Sequence, residues 1–522
     1  MIEEELKIIP EPAKVSLNDG VFILSQKTTI QVDLTSTRNG EYLKQVITSK
    51  YGLNLAIEKS SQNNEGKNSI KLKTSNEKNL NNSEKYYLLV SRENIIISAT
   101  TSIGVFYGIQ TLIQLIPHKA SKGDKVSLES SIPCVSIEDF PRFKWRGFML
   151  DESRHFFGKK QVKKILDLMA LLKLNTFHWH LTDDQGWRVE IKKYPLLTKI
   201  GSKREGTIIS RKKLLLSSQK RKLPIDGIPV SGYYTREDLM ELIEYASERY
   251  ITIIPEIDFP GHTMAALAAY PELSCTGGPF EVSTRFGIHK DVFCIGKEEV
   301  FEFSQNVLDE VMDIFPSKII HTGGDEVPRH RWNKCSECQN RIIKEGVAGS
   351  ENLQVYFTNR IADYLASKGR HLMGWNEILN DKLNEDAICH YWTNNLELVL
   401  QHAMKGRKVV MSEMSAVYLN YPYKLIPTKK TYLYDPVPEE YGNNYEKHIL
   451  GIEACLWTEY INSKDKLEWQ TFPRLIAVAE TGWTPKNKRN FESFLKRLEN
   501  FIPLLKAFDV NYPKKEEFLQ DQ

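Results

Sequence analysis

Beyond residue 139, short apolar runs alternate with stretches in which apolar residues recur every three or four positions. The runs fall at 146–150, 176–181, 251–257, 318–322, 371–374, 387–391, 409–411 and 450–456. Short, nearly continuous runs of this kind predict strands buried on both faces of a parallel sheet. Between them the period changes to 3.6. Val162, Ile165, Met169 and Leu172 share one helical face, and Val300, Phe303, Val307, Val311 and Ile314 share another. A third helix carries Leu239, Leu242, Ile243 and Ala246, and Thr235 with Asp238 three residues on forms the capping box that should start it. Eight strands alternating with helices place the chain in the α/β class and predict a (β/α)8 TIM barrel with long insertions, the largest at 201–232 and 413–448.

Residues before the barrel keep a different rhythm. β-branched runs alternate with polar turns such as Asn18-Asp19-Gly20 and the Asn/Ser/Lys-rich stretch at 60–68. Residues 86–90 and 95–97, on either side of Arg92-Glu93-Asn94, predict a hairpin, and helical spacing from Val105 to Ile116 closes at Pro117. The expected plan is a smaller, non-catalytic α+β unit at 1–138, the barrel as catalytic domain at 139–485, and a C-terminal helical extension at 486–522 packed on the barrel. A length of 522 residues also favours more than one core.

Composition narrows the function classes. With 41% hydrophobic and 26% charged residues the chain has globular composition, and a net charge of +3 makes no electrostatic case for nucleic acid or a membrane surface. The basic runs Arg211-Lys212-Lys213 and Lys220-Arg221-Lys222 sit in an expected loop and read as solvated surface. No apolar stretch approaches the ~20 residues that span a bilayer. The acidic opening Met1-Ile2-Glu3-Glu4-Glu5 is unlike a secretory leader, so the protein is either intracellular or, as its cysteines lean, exported (periplasmic or extracellular) with the leader absent from this sequence. Among seven cysteines, Cys335-x-x-Cys338 offers a small disulfide or half a zinc site, and no second Cys or His pair at zinc spacing follows it. Cys275 and Cys294 flank a Gly-rich loop and could staple it. The expectation is no metal and no cofactor.

In a barrel of this type the active site lies where the strands end. The residues that follow the runs are Asp151 and Arg154; Thr182, Asp183, Asp184 and Trp187; Glu256, Asp258 and His262; Asp325 and Glu326; Trp375 and Glu377; Trp392; Tyr418 and Asn420; Trp457 and Glu459. Acids and indoles dominate, which suits a sugar: aromatic faces pack on the apolar side of a pyranose, and carboxylates bond hydroxyls and move protons. Each group also has a plainer reading, as barrel packing for the tryptophans, a surface ion pair for Arg154, or helix capping for Asp183, Asp184 and His262. The most telling segment is Ile319-Ile320-His321-Thr322-Gly323-Gly324-Asp325-Glu326, a buried run that ends in two glycines and two carboxylates. Neighbouring side chains at a strand end point in different directions, so one carboxyl can hold a substrate group while the other transfers a proton.

Five segments stand out together: Arg146-Gly147-Phe148-Met149-Leu150-Asp151 with Arg154-His155-Phe156-Phe157, and the segment from His178 through Asp183-Asp184-Gln185-Gly186-Trp187 to Arg188. The others are Pro255-Glu256-Ile257-Asp258 through Gly261-His262, then His321-Thr322-Gly323-Gly324-Asp325-Glu326, and Glu453 to Glu459. On these motifs the chain resembles the β-N-acetylhexosaminidases of glycoside hydrolase family 20. The resemblance implies an exo-acting, retaining glycosidase that removes terminal non-reducing N-acetylhexosamine by substrate-assisted catalysis, an exception to the two-carboxylate scheme. By that resemblance Glu326 is the acid and base, Asp325 accepts the acetamido N–H, and Tyr418 donates to the acetamido oxygen. Trp375, Trp392 and Trp457 enclose the sugar, and Asp183 with His262 sits behind the acid. Arg154 bonds the 3- and 4-hydroxyls and Glu459 the 4- and 6-hydroxyls.

One position departs from the family pattern: Asn420 stands where many members have Asp, leaving a neutral contact to the 6-hydroxyl. The implied partner is a glycan ending in N-acetylglucosamine or N-acetylgalactosamine, chitin fragments among the candidates, with chitobiase-like and lacto-N-biosidase-like variants as alternatives. Two rivals from other classes are a metal-dependent amidohydrolase using His178-x-His180 and a non-catalytic glycan-binding barrel.

Overall fold

The eight apolar runs close into a barrel. In the computed structural model, which describes residues 6–59, 66–75, 82–117, 129–209, 224–437 and 445–519, the barrel strands are Trp145–Asp151, Thr176–His180, Thr252–Glu256, Ile319–His321, His371–Trp375, Ile388–Tyr391, Val409–Met411 and Ile449–Leu456. Each pairs in parallel with the next, and the eighth returns to the first with Ile452 opposite Arg146 and Glu453 opposite Gly147. The expected helices follow: Lys159–Leu171, Arg236–Ser247 with both bonds of the capping box, and Glu298–Ile314. Both basic runs at 211–213 and 220–222 lie outside the described residues.

Alternation along the strands stacks the interior in layers. The lowest is apolar, with Trp145, Ile254, Met373, Ile388 and Val410. Two residues further along, the layer turns polar: His178, Glu256, His321, His390 and Glu453, all fully buried. Strand one contributes only Gly147 here, because a Cβ at that position would collide with the Glu453 carboxylate. Above lie Met149, Trp375, Tyr418 and Cys455, with Trp392 and Trp457 at the rim. The polar layer thus sits directly beneath the aromatic one.

The N-terminal unit is a seven-stranded mixed sheet spanning Lys14 to Asp139, and it includes the expected antiparallel hairpin Tyr86–Val90 with Asn94–Ala99. Its helix Ser102–Leu115 is buried on nearly every side, as an apolar helix between two layers must be. One face approaches the sheet through Gly104 and Gly108, and Tyr107 packs on Trp483 of the barrel at 5.0 Å. Asp139 pins the junction, accepting from Lys173 Nζ at 2.8 Å, Tyr86 Oη at 2.6 Å and Trp483 Nε1 at 2.9 Å, all buried. The C-terminal helix Phe491–Ala507 lies against the barrel through a buried ion pair, Arg497 Nη1 to Glu480 Oε2 at 2.6 Å. No helix among the described residues is long and apolar enough to cross a membrane.

Candidate active site

The turn after strand four is built around positive φ angles: +64° at Gly323, +91° at Gly324 and +49° at Glu326. A side chain at Gly323 would collide with the Asp258 carboxylate, so the position demands glycine on two counts. The Gly324 N–H donates to Asp258 Oδ1 at 3.3 Å, and its carbonyl accepts from Gln354 Nε2 at 2.6 Å. Clamped in this way, the turn tucks Asp325 inward with its side chain 14% exposed and leaves Glu326 nearer the opening at 35%.

Both carboxylates face one imidazole. His262 Nε2 lies 3.7 Å from Asp325 Oδ2 and 3.7 Å from Glu326 Oε2, while its Nδ1 stands 3.2 Å from Asp183 Oδ1 and from Asp184 Oδ2. Burial alone would lower His262, but Asp183 and Asp325 raise it well above the ordinary histidine value, so the ring is an imidazolium. Burial would raise Asp183; the Arg154 guanidinium at 2.5 Å and His262 hold it well below the carboxylate range. Asp325 is pushed up to about 6 by burial, against the pull of His262 and with a push from Glu326. Charges therefore alternate from Arg154 through Asp183 and His262 to the Asp325–Glu326 pair.

Arg154 is itself fixed. Its Nε donates to Gln185 Oε1 at 2.8 Å and its Nη1 to Asp151 Oδ2 at 3.2 Å, and its guanidinium lies 5.1 Å from the centre of the Trp457 ring. Trp375 forms the floor: Nε1 donates to Glu256 Oε1 at 2.8 Å, and the indole stacks on His390 at 4.2 Å. Trp392 donates to Glu377 Oε2 at 2.9 Å and stacks parallel to Tyr418 at 6.0 Å. Trp457 closes the cage 5.7 Å from Trp375 and 6.2 Å from Tyr418.

These groups enclose a cavity of about 320 Å³, and every site residue expected from the sequence lines it except Asp183, which lies behind His262. Asp325 Oδ1, His262 Nε2 and Asn420 Oδ1 are buried in its wall without a hydrogen-bond partner among the described residues. Buried polar atoms in folded proteins are seldom left so, because each costs about 1–3 kcal/mol. Their convergence on one cavity marks a polar ligand site. Thr393, Asn394, Met414 and Tyr421 also line it and were not singled out by sequence reasoning. The support Gln354 carried no signal, since glutamine on a helix is unremarked in sequence, and Gln185 stood in the motif after strand two without a role of its own.

The His178-x-His180 pair is committed elsewhere. His178 Nδ1 meets Glu453 Oε1 at 2.7 Å and Nε2 meets Glu256 Oε2 at 3.1 Å, while His180 is held between Glu256 and Asp183. The Trp375 ring lies against His178, His321 and His390 and itself lines the cavity, so a centre built on these imidazoles would not face a substrate.

Comparison with known proteins gives the same picture. Residues 143–486 match the model for the glycosyl hydrolase family 20 catalytic domain, and residues 5–140 that for domain 2 of the same family. The chain is 37% identical to a beta-hexosaminidase of Porphyromonas gingivalis over 98% of its own length, spanning 64% of that protein. It is 33% identical to a beta-hexosaminidase of Akkermansia muciniphila, covering 82% of this chain and 85% of that protein. Among solved structures, an exo β-N-acetylglucosaminidase of Vibrio harveyi in complex with N-acetylglucosamine superposes with a TM-score of 0.84 at 32% identity, covering 98% of this chain and 78% of that one. A β-N-acetylhexosaminidase of Bacteroides fragilis gives 0.81 at 32% identity, with 99% of both chains covered.

Proposed function

The chain belongs to glycosyl hydrolase family 20, and from that premise we propose that it removes terminal, non-reducing N-acetyl-D-hexosamine from glycans with retention, using the substrate's own acetamide as nucleophile. The observation that carries this is the buried, unpartnered Asp325 Oδ1 beside Glu326. Where two carboxylates perform glycoside cleavage they flank the sugar, about 5–5.5 Å apart for retention or about 6.5–9.5 Å for inversion. Here the two are consecutive, hang from one turn and meet the same His262 nitrogen, so they approach the sugar from one side. The family resemblance assigns the second reacting group to the substrate, and a one-sided pair of this kind suits that assignment.

In the first step the acetamido carbonyl oxygen bonds to the anomeric carbon as the glycosidic C–O bond breaks, and Glu326 gives its proton to the leaving oxygen. Asp325 accepts the acetamido N–H, which turns the carbonyl towards the anomeric carbon and offsets the positive charge of the oxazolinium. Tyr418 donates its hydroxyl to the same carbonyl oxygen. In the second step Glu326, now a carboxylate, takes a proton from water as the water oxygen bonds to the anomeric carbon, and the five-membered ring reopens to the acetamide. Arg154, Glu459 and Asn420 hold the far hydroxyls. A cavity of about 320 Å³ is at the small end of the ligand-site range of about 300–1,000 Å³, which supports one terminal sugar and exo action. Among the described residues none of 1–138 lines it, and that unit acts as scaffold for the barrel at 139–485.

The direct test compares chromogenic N-acetylglucosaminide, N-acetylgalactosaminide and plain glucoside, with a thiazoline as inhibitor. Turnover should require the acetamide, and the thiazoline should compete with substrate. A glucoside cleaved as fast as its acetamido counterpart would sink the proposal.

Asp325 must be ionised to accept the N–H. Its value of about 6 means that activity is present above, and lost as pH falls through, about 6. The His262 imidazolium pulls Asp325 down, so His262→Gln should move the acid limb of kcat/KM to higher pH. An acid limb left in place by that substitution would dissociate His262 from Asp325.

A further inference from the structure

Away from the sugar cavity, four cysteines that the sequence presents as two unrelated pairs come together. Cys294 Sγ lies 3.6 Å from Cys335 Sγ and 3.6 Å from Cys338 Sγ, Cys275 Sγ lies 3.8 Å from Cys338 Sγ, and all four sulfurs fall within 4.8 Å of one another. None is joined in a disulfide. Four sulfurs bound at about 2.3 Å to one zinc ion stand about 3.8 Å apart along the edges of a tetrahedron. A disulfide would instead draw one pair to about 2.05 Å and leave the other two sulfurs out. From this geometry we propose that Cys275, Cys294, Cys335 and Cys338 form a structural zinc site.

The surroundings suit bound thiolates. The Gly296 N–H donates to the sulfurs of Cys294 and Cys338, the backbone hydrogen bonding that supports metal-bound sulfur. Gly296 approaches so closely that a side chain there would collide with the backbone of Glu337 and Cys338. Arg331 lies beside Cys275 and pairs with Asp291, and Trp332 Nε1 donates to the Phe293 carbonyl at 2.8 Å, so the two arms already meet around the cluster. With four protein ligands the site is closed and has no open position for substrate, which makes its role structural. One arm is the 275–294 loop, in which the Arg285 carbonyl accepts from Gln185, the residue that holds Arg154. The other arm begins nine residues after Glu326, counting from 326 to 335. Zinc would therefore tie the loop that holds Gln185 to the segment that follows Glu326.

The signal in sequence is a Cys-x2-Cys knuckle with its partners upstream, separated by 41 residues from Cys294 to Cys335. A search for ligands only downstream of the knuckle passes over them.

The test uses the full chain, incubated with ZnCl2 and desalted into metal-free buffer. Elemental analysis should find about one zinc per chain and no stoichiometric iron. Unfolding in chelator with iodoacetamide, without reductant, should then alkylate all seven cysteines. The Cys335→Ser/Cys338→Ser variant should lose the zinc, and Cys134→Ser, outside the cluster, should keep it. Should the double variant fail to fold, the wild-type metal content and thiol count decide alone. A zinc-free chain, iron in its place, cysteines refractory to alkylation, or zinc retained by the double variant would each overturn the proposal.

Discussion

Asp325→Asn should lower kcat on N-acetylhexosaminides by about 10²–10³-fold, with KM moved far less, as when one group aimed at developing charge is removed. The substitution keeps the shape of the side chain, which is 14% exposed and clamped by the turn it sits on, so binding survives. What goes is the negative charge. A neutral amide oxygen still meets an N–H, but it does little against the positive charge that grows on the five-membered ring, and its NH2 turned inward would repel the acetamido N–H. Removing the charge also leaves the Nε2 side of the His262 imidazolium facing Glu326 alone at 3.7 Å, while Asp183 and Asp184 stay at Nδ1. Steady-state kinetics on a 4-nitrophenyl N-acetylglucosaminide read the effect. Near-normal turnover would remove Asp325 from the role given to it and with it the substrate-assisted route.

The alternation of charge behind this pair explains why so many ionised groups are tolerated away from water. Arg154, Asp183 and His262 are each buried, and a lone ion there would cost several kcal/mol. Each instead has an opposite charge within hydrogen-bonding or near-contact distance, and the chain ends at Asp325 and Glu326, where the cavity opens. The polar layer below works in the same sense: Glu256, held well below the carboxylate range against its burial by His321, His180 and His178, orients the Trp375 indole from beneath.

The barrel is legible in the sequence because its strands are short and buried on both faces, so apolar run and strand nearly coincide. The run at 409–411 is the strand Val409–Met411 itself. The site residues are legible because strand ends in this fold all face one way, which turns a one-dimensional inventory into a list of neighbours. What sequence does not carry is the layering. His178 and His180 read alone suggest a metal pair; only the closed barrel brings Glu453, from the eighth strand, to His178. Likewise Asp258 reads as another strand-end acid until the turn at Gly323 folds over it. The cysteines separate for the same reason, since proximity across 41 residues depends on two insertions whose path no local pattern encodes.

Glu326→Gln should be the most damaging change for natural glycans and a milder one for activated substrates. General acid assistance contributes about 10²–10⁴-fold, and its share grows with the basicity of the leaving oxygen. A sugar alkoxide needs the proton as the bond breaks; a 4-nitrophenolate hardly does. The variant should therefore lose turnover on an N-acetylglucosamine disaccharide by a factor towards the upper end of that range, and much less in the first step with the nitrophenyl glycoside. The second step then becomes limiting, because water must attack the oxazolinium without a base. Azide needs none, so adding it should accelerate turnover of the nitrophenyl substrate and yield the β-glycosyl azide, with configuration retained through two inversions at the anomeric carbon. In Asp325→Asn the acetamide itself is misdirected, and azide should give no such rescue. Equal losses on both leaving groups in Glu326→Gln would place the proton donor elsewhere in the cavity, and an α-configured azide would mean direct displacement without the oxazolinium.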